Sequence, residues 1–314
     1  MSQAFAGGIE AGGTKFVCAV GSGPEEIRQP GNRVSFPTGD DPSALLAQLT
    51  AWFQAKEAGR GERLSALGVA SFGPVDLNPA SPTYGSITST PKPGWKNTDL
   101  LGPLRAAFPG IPLGFDTDVN GAALGERTWG GARGLDDFLY LTVGTGIGGG
   151  GMTQGRLLHG LVHPEIGHLR LPRVPGDDFP GVCPYHGDCW EGLCSGPALL
   201  ARTGIPAEDL PPDHEAWALV TRSVGDAVAN LVCTLSPQKI LLGGSVRKAG
   251  KLGEEAFFAR VRARVRESVN GYVVSPALSA EGIETYLTPP ALGDDAGVCG
   301  ALALALDTLD TPVR

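Results

Sequence analysis

The chain has 314 residues, 42% hydrophobic and 18% charged, with 47 glycines, 26 prolines and a net charge of −8. That hydrophobic share excludes a disordered chain despite the glycine and proline, and the glycines lack the period of three that collagen needs. The acidic balance, with no basic stretch, argues against a nucleic-acid partner, and the length suits two domains with separate cores.

The first segment reads as two strands, Ala4–Glu10 and Lys15–Val20, joined by the turn Gly12-Gly13-Thr14. Arg33–Pro37 is a further expected strand. Asp41-Pro42 opens a helix to about Ala58, with Leu45, Leu46, Leu49, Trp52 and Phe53 at helical spacing. Leu64–Ser71 reads as a strand ending at Phe72-Gly73-Pro74, and the proline-rich stretch Asp76–Asn97 is too long for a bare connector. A helix at Thr98–Phe108, a strand at Ile111–Phe115 and a helix at Val119–Trp129 capped by Asp118 follow. Strand Phe138–Val143 runs into a glycine loop, and Ile147–Met152 returns beside it. After a Cys/His-rich insertion (His159–Cys189) come a long helix (Asp213–Leu235), a strand (Lys239–Leu242), a charged helix (Glu254–Asn270), a strand (Ile283–Leu287) and an apolar helix (Gly293–Leu306). Strands alternating with helices indicate an α/β fold.

No cationic region precedes the first apolar run, which Glu10 interrupts, and the uncharged stretch Phe138–Gly155 is too glycine-rich for a membrane helix. A cytosolic protein without a membrane partner is expected. The six cysteines then read as thiols, with Cys18, Cys194, Cys233 and Cys299 expected as small buried hydrophobes.

Three glycine turns each follow an expected strand: Gly12-Gly13-Thr14-Lys15, Gly144-Thr145-Gly146 with Gly148–Gly151 beyond it, and Gly243-Gly244. Glycine lets backbone N–H groups converge on an anion, and Thr14, Thr145 and Lys15 add donors. Each turn alone reads equally well as a hairpin; the three together point to a phosphate cradle, in which Gly7 and Gly8 are also counted. Gly144 to Gly149 fits G-x-G-x-x-G, but that dinucleotide fingerprint must lead into a helix, and Gly150-Gly151-Met152-Thr153 starts none. A dehydrogenase is therefore disfavoured.

Two carboxylates, Asp116 and Asp118, stand where a strand gives way to a helix. Asp118 is the better placed of the two to accept a hydroxyl proton in phosphoryl transfer. Cys183-x2-His186-x2-Cys189, with His168 fifteen residues before Cys183, supplies two thiolates and two imidazoles. That is a full tetrahedral zinc set with no open position, hence a structural site. Glu165 and Glu191 flank it and would be fixed by it. His159, His163 and His214 read as ordinary histidines.

These segments match a known family in order and spacing. The chain resembles the ROK sugar kinases, of the actin/hexokinase-like ATPases, and among them the bacterial fructokinase branch. The carriers are Glu10-Ala-Gly-Gly-Thr-Lys15, Asp116-Thr-Asp-Val-Asn-Gly-Ala-Ala-Leu-Gly-Glu126, Leu141–Gly150, His163-Pro-Glu-Ile-Gly-His168, Cys183–Glu191 and Leu241–Val246. The resemblance implies a two-domain, actin-like (ribonuclease H-like) α/β fold with a zinc-binding insertion. Residues 1–117 would form the smaller domain, completed by a C-terminal helix over 298–314, and 118–297 the larger. It implies ATP-dependent phosphorylation of a hexose, fructose first, with glucose, mannose, an amino sugar or a non-catalytic sugar sensor as alternatives. By the same resemblance Gly12, Gly13, Thr14, Lys15, Gly144, Thr145 and Gly146 bind ATP phosphates, and Gly243 and Gly244 line the adenosine. Asp118 is the general base, Glu165, Glu191 and Asn97 hold sugar hydroxyls, and His168, Cys183, His186 and Cys189 hold Zn²⁺, with Mg²⁺ on the phosphates. A homodimer is expected on the same ground. Glu10 stands where many relatives carry Asp, and His186 where many carry a third Cys. No helix-turn-helix segment precedes the phosphate strand, so a kinase is expected and not one of the family's repressors.

Overall fold

The computed structural model describes residues 4–310, which divide into two compact units. One runs through Gly134 and takes in Leu157–His163 and the chain from Ala291; the other holds Leu135–Arg156 and Pro164–Pro290.

The first unit has strands β1 (Ala6–Ala11), β2 (Lys15–Gly21), β3 (Arg33–Pro37), β4 (Ala66–Ser71), the short pair β5 (Ser86–Ile87) and β6 (Thr98–Asp99), and β7 (Leu113–Thr117). Its main sheet has the order β3-β2-β1-β4-β7, antiparallel through β3, β2 and β1 and parallel through β1, β4 and β7. Helices α1 (Pro24–Ile27), α2 (Pro42–Arg60), α3 (Leu101–Ala107) and α4 (Asp118–Trp129) join a C-terminal helix, Ala296–Asp310. The start of α2 follows its sequence: Asp41 accepts from the Ala44 N–H, Pro42 needs no partner in the first turn, and Gly61 (φ 68°) ends the helix in the left-handed region.

The defining packing feature is a row of glycines across three strands. Gly8 of β1 pairs with Gly68 of β4, and Gly68 with Gly114 of β7. A Cβ at Gly68 would lie 1.9 Å from the Ala301 carbonyl oxygen, one at Gly114 2.3 Å from that of Leu304, and one at Gly8 2.7 Å from Leu302 N. The C-terminal helix therefore rests its backbone directly on the sheet. Helix α4 meets it as closely: a Cβ at Gly300 would lie 2.0 Å from the Gly121 oxygen, and one at Gly125 2.8 Å from Gly300 N. This contact explains why the expected boundary at 117/118 differs from the observed one after Gly134: α4 belongs to the unit that holds the C-terminal helix. Residues 311–314 of the expected helix lie outside the described residues.

The second sheet has β8 (Phe138–Val143), β9 (Ile147–Thr153), β10 (Arg156–Leu157, its last residue counted with the first unit), β11 (Lys239–Gly243) and β12 (Leu287–Thr288), in the order β10-β9-β8-β11-β12. Helices α5 (Trp190–Cys194), α6 (Gly196–Thr203), α7 (Glu215–Leu235), α8 (Glu254–Val269) and α9 (Ile283–Tyr286) complete the second unit. Read outward, both sheets run third, second, first, fourth, fifth strand, so the chain repeats one topology without a legible sequence repeat. Helix α7 is long and apolar enough to cross a membrane by length and composition, but Trp217, Val220, Val224 and Val228 are buried within the unit.

Four local expectations change. Thr117, not Asp118, caps α4, its hydroxyl accepting from the Asn120 N–H. The expected strand Ile283–Leu287 is helix α9 with a two-residue strand after it, because Ile283 and Tyr286, three apart, are the residues that bury. Cys233 is exposed, while Cys18, Cys194 and Cys299 are buried. Gly7, Gly8, Gly149 and Gly151 are packing glycines within strands: a Cβ at Gly149 would lie 2.7 Å from Ile166 Cδ1, and one at Gly151 2.2 Å from the Phe138 oxygen.

The glycine row makes a direct prediction. Gly68→Val is expected to cost more than about 3 kcal/mol or abolish folding, as overpacking against rigid backbone does. Gly59→Ala, exposed on α2 with nothing within 4 Å of the added methyl, should gain about 0.5–1 kcal/mol. Denaturant unfolding of the two variants checks both signs.

Candidate active site and metal centre

In the first unit, β1, β4 and β7 end level: Ala11 pairs with Ser71 and Ser71 with Thr117. The turn Gly12–Thr14, the turn Phe72–Pro74 and the start of α4 thus emerge from one edge, the carboxyl ends of parallel strands, where open α/β sheets bind ligands. The glycine turn is closed by the Gly12 N–H donating to the Lys15 carbonyl at 3.0 Å. Thr38, buried, donates from its hydroxyl to the Gly12 carbonyl at 2.7 Å, and its N–H reaches the Thr14 carbonyl at 3.0 Å. Gly13, Thr14 and Lys15 remain exposed to a ligand. Thr38 was not legible as a site residue, because only the β2–β3 pairing brings it there.

Asp118 is half-buried at the first position of α4, its Oδ1 accepting from the Val119 N–H at 2.9 Å. Glu10 lies close enough for their charges to repel. Its carboxyl is raised to about 7, by burial first and then by Asp118, with Arg33 and Lys15 opposing. It lies against the first turn of the C-terminal helix, where a Cβ at Gly297 would come within 2.3 Å of Glu10 Oε1. Asp116 is fully engaged nearby. Its Oδ1 accepts from the Thr117 N–H at 2.8 Å and Asn120 Nδ2 at 2.9 Å, and its Oδ2 lies 2.7 Å from His159 Nε2. The pairing raises the His159 imidazole. Asn97 sits after Trp95 in the left-handed region (φ 57°), its N–H donating to the Thr88 carbonyl at 3.0 Å. Trp95 is wholly buried, tilted against Phe16 and edge-on to Phe72, with Nε1 donating to the Gly39 carbonyl.

In the second unit, β8 and β11 also end level, Thr142 pairing with Gly243. The Gly144 and Gly243-Gly244 turns lie side by side: a Cβ at Gly144 would lie 3.6 Å from Ser245 N. Gly244 adopts φ 88°, and a Cβ there would lie 2.2 Å from the Val143 oxygen, so only glycine fits. The chain after Gly146 continues as strand β9, which removes the dinucleotide fingerprint. Glu191 Oε2 accepts from the Ile147 N–H at 2.8 Å, tying the second glycine loop to α5. The Glu165 carboxyl is raised to about 7 by burial and by the charge of Glu191.

The four Cys/His residues converge, their ligand atoms within 4.8 Å of one another. His168 Nδ1 is 3.4 Å from Cys189 Sγ and 3.8 Å from Cys183 Sγ, and His186 Nδ1 is 3.6 Å from Cys183 Sγ. Zinc bond lengths of about 2.0–2.3 Å imply tetrahedral edges of about 3.4–3.8 Å, so the donor set and its spacing fit Zn²⁺. His168 turns Nε2 toward Glu165 Oε2 at 4.0 Å, which puts a carboxylate on the far side of an imidazole whose Nδ1 faces the thiols. Glu165, Glu191 and the Cys/His tetrad therefore form one neighbourhood in this unit.

Glu10 gives a pH-dependent prediction. The folded chain holds its proton more tightly than the ordinary value of 4.5 allows, so stability is lost as pH rises from 4.5 through about 7. Glu10→Gln is expected to raise the unfolding temperature at pH 8 and leave it nearly unchanged at pH 4; equal shifts at both would contradict the assignment.

The model of the ROK family matches residues 6–308. A fructokinase of Pediococcus pentosaceus is 41% identical over 95% of this chain and 96% of its own, and a fructokinase of Zymomonas mobilis 39% identical over 96% of each. The crystal structure of a ROK hexokinase from Thermus thermophilus aligns with a TM-score of 0.75 at 29% identity, covering 98% of this chain and 99% of that one. The chain belongs to the ROK family and has its two-unit, actin-like ATPase fold.

Proposed function

We propose that the protein transfers the γ-phosphoryl group of ATP to a hexose, D-fructose giving fructose 6-phosphate. The structural observation that carries the reading is a carboxylate, Asp118, at the same sheet edge as an exposed glycine turn, Gly12–Thr14. Likeness to fructokinases across nearly the whole chain supports fructose as the acceptor.

Asp118 accepts the proton of the attacking hydroxyl and orients its oxygen. An ordinary carboxylate is ionised at neutral pH and suits this role. The backbone N–H groups of Gly12, Gly13, Gly144 and Gly146, with the hydroxyls of Thr14 and Thr145 and the Lys15 ammonium, hold the phosphates. Gly243 and Gly244 border the adenosine. Asn97, Glu165 and Glu191 take sugar hydroxyls, and Glu191 also fixes the second glycine loop through the Ile147 N–H. Glu10 and Asp118 are the oxygen donors a hard cation selects, and Mg²⁺ bound with ATP supplies neutralisation of the developing phosphate charge. His168, Cys183, His186 and Cys189 hold Zn²⁺ with all four positions filled by protein, which makes the ion a brace for Glu165 and Glu191.

A coupled ADP-release assay across fructose, glucose, mannose and N-acetylated amino sugars should show fructose with the highest kcat/KM. Another preferred hexose would overturn the acceptor, and no ADP release with sugar binding intact would mark a sensor. Asp118→Asn is expected to lower kcat at least about 100-fold, the low end of general-base contributions, with fructose affinity within about threefold of the parent. Elemental analysis should find one zinc per chain, lost in Cys183→Ser together with thermal stability; a zinc-free, equally stable protein would refute the structural site.

A further inference from the structure

The segment Leu157–His163 belongs to the first unit, although the chain on either side of it belongs to the second. Apolar packing does not explain this. Leu157 touches the Ala70–Leu304 cluster, but Leu161 is fully exposed and Val162 is 53% exposed. Polar anchors hold the rest. The Leu158 carbonyl accepts from Asn120 Nδ2 at 3.0 Å, and the same amide group donates to Asp116. His159 Nε2 lies 2.7 Å from Asp116 Oδ2. His163, buried, accepts through Nε2 from the Val75 N–H at 3.1 Å. That contact leaves the imidazole neutral with its proton on Nδ1. A Cβ at Gly73 would lie 3.3 Å from His163 Cε1, so the imidazole also lies against the Gly73-Pro74 turn.

The two histidines thus clamp one strap to two strand ends, those of β7 and β4. One clamp is on Asp116, two residues before Asp118. The other ends the strap at His163, two residues before Glu165. We propose that Leu157–His163 is a positioning strap for the Asp118 side of the hexose site, in which His159 and Asp116 register the Asp118 turn and His163 holds the end of the strap against the Gly73-Pro74 turn. The inference deepens the hexokinase reading and rests on it. The buried Asp116 carboxylate gives its oxygens to the Thr117 N–H, Asn120 Nδ2 and His159, and the strap's anchors at Asn120, Asp116 and Val75 are distinct from the residues of the Gly12–Thr14 turn.

A split between the two substrates tests the strap. Calorimetry should show His159→Ala binding fructose at least about tenfold more weakly while ADP affinity stays within twofold and the unfolding temperature within about 2 °C. His159→Gln, which keeps an N–H donor for Asp116, should recover fructose affinity to within threefold, and Asp116→Asn/His159→Ala should be no weaker than His159→Ala alone. Fructose affinity unchanged in His159→Ala, or fructose and ADP weakened together with lost stability and no rescue by Gln, would overturn the strap. Failure of the unaltered protein to phosphorylate any hexose would instead overturn the reading beneath it, and the inference with it.

Discussion

Backbone contact between the C-terminal helix and the sheet under it is the constraint on which the first unit depends. Side chains normally hold a helix about 10 Å from a sheet, and here the row Gly8, Gly68 and Gly114 removes them. The helix then approaches so closely that its own carbonyls, at Ala301 and Leu304, face strand backbone. Two consequences reach the site. The first turn of the helix is delivered to Glu10 at the strand ends, and α4 is drawn in through Gly121 and Gly125, which fixes where Asp118 begins. The carboxylate proposed as the general base is thereby tied to a packing feature some distance along the chain.

Glu126 adds to this tie. It is fully buried on α4, and its carboxylate accepts from the backbone N–H groups of Gly131, Ala291 and Leu292 at 2.6, 3.1 and 2.8 Å. Three N–H donors satisfy a charge that burial would otherwise make costly. The same contacts gather the end of α4 and the entry to the C-terminal helix, close in sequence to two of the points where the chain passes between its units, after Gly134 and before Ala291.

What could be read from the residues was what is local. The glycine turns, the capped helix starts, the Cys-x2-His-x2-Cys spacing and the strand-to-helix carboxylates each lie within a few residues, and their chemistry is set by spacing alone. The contacts that hold those motifs in place were not legible. Thr38 reaches the first glycine turn only through the register of β2 with β3, and His159 and His163 become anchors only once the strap is laid on the strand ends. The glycine excess shows the same division. Gly12, Gly13 and Gly244 stand in turns that can be picked out along the chain, whereas Gly8, Gly68 and Gly114 acquire meaning only when three strands are aligned. Composition counts both kinds alike, and only register separates them.

Electrostatics explain why the site is built from backbone. With a net charge of −8 and carboxylates at Glu10, Asp118, Glu165 and Glu191, this protein cannot attract ATP by a field of lysines and arginines; among the residues assigned to the phosphates, Lys15 alone carries a full positive charge. Backbone N–H groups at glycine turns supply partial positive charge in fixed directions without adding side-chain charge. Glu10 shows the cost of that choice: it sits near Asp118 with a proton it retains to about pH 7. A divalent cation held between the two carboxylates, as the proposed function asks for with ATP, would relieve that repulsion and couple metal to nucleotide binding at this edge.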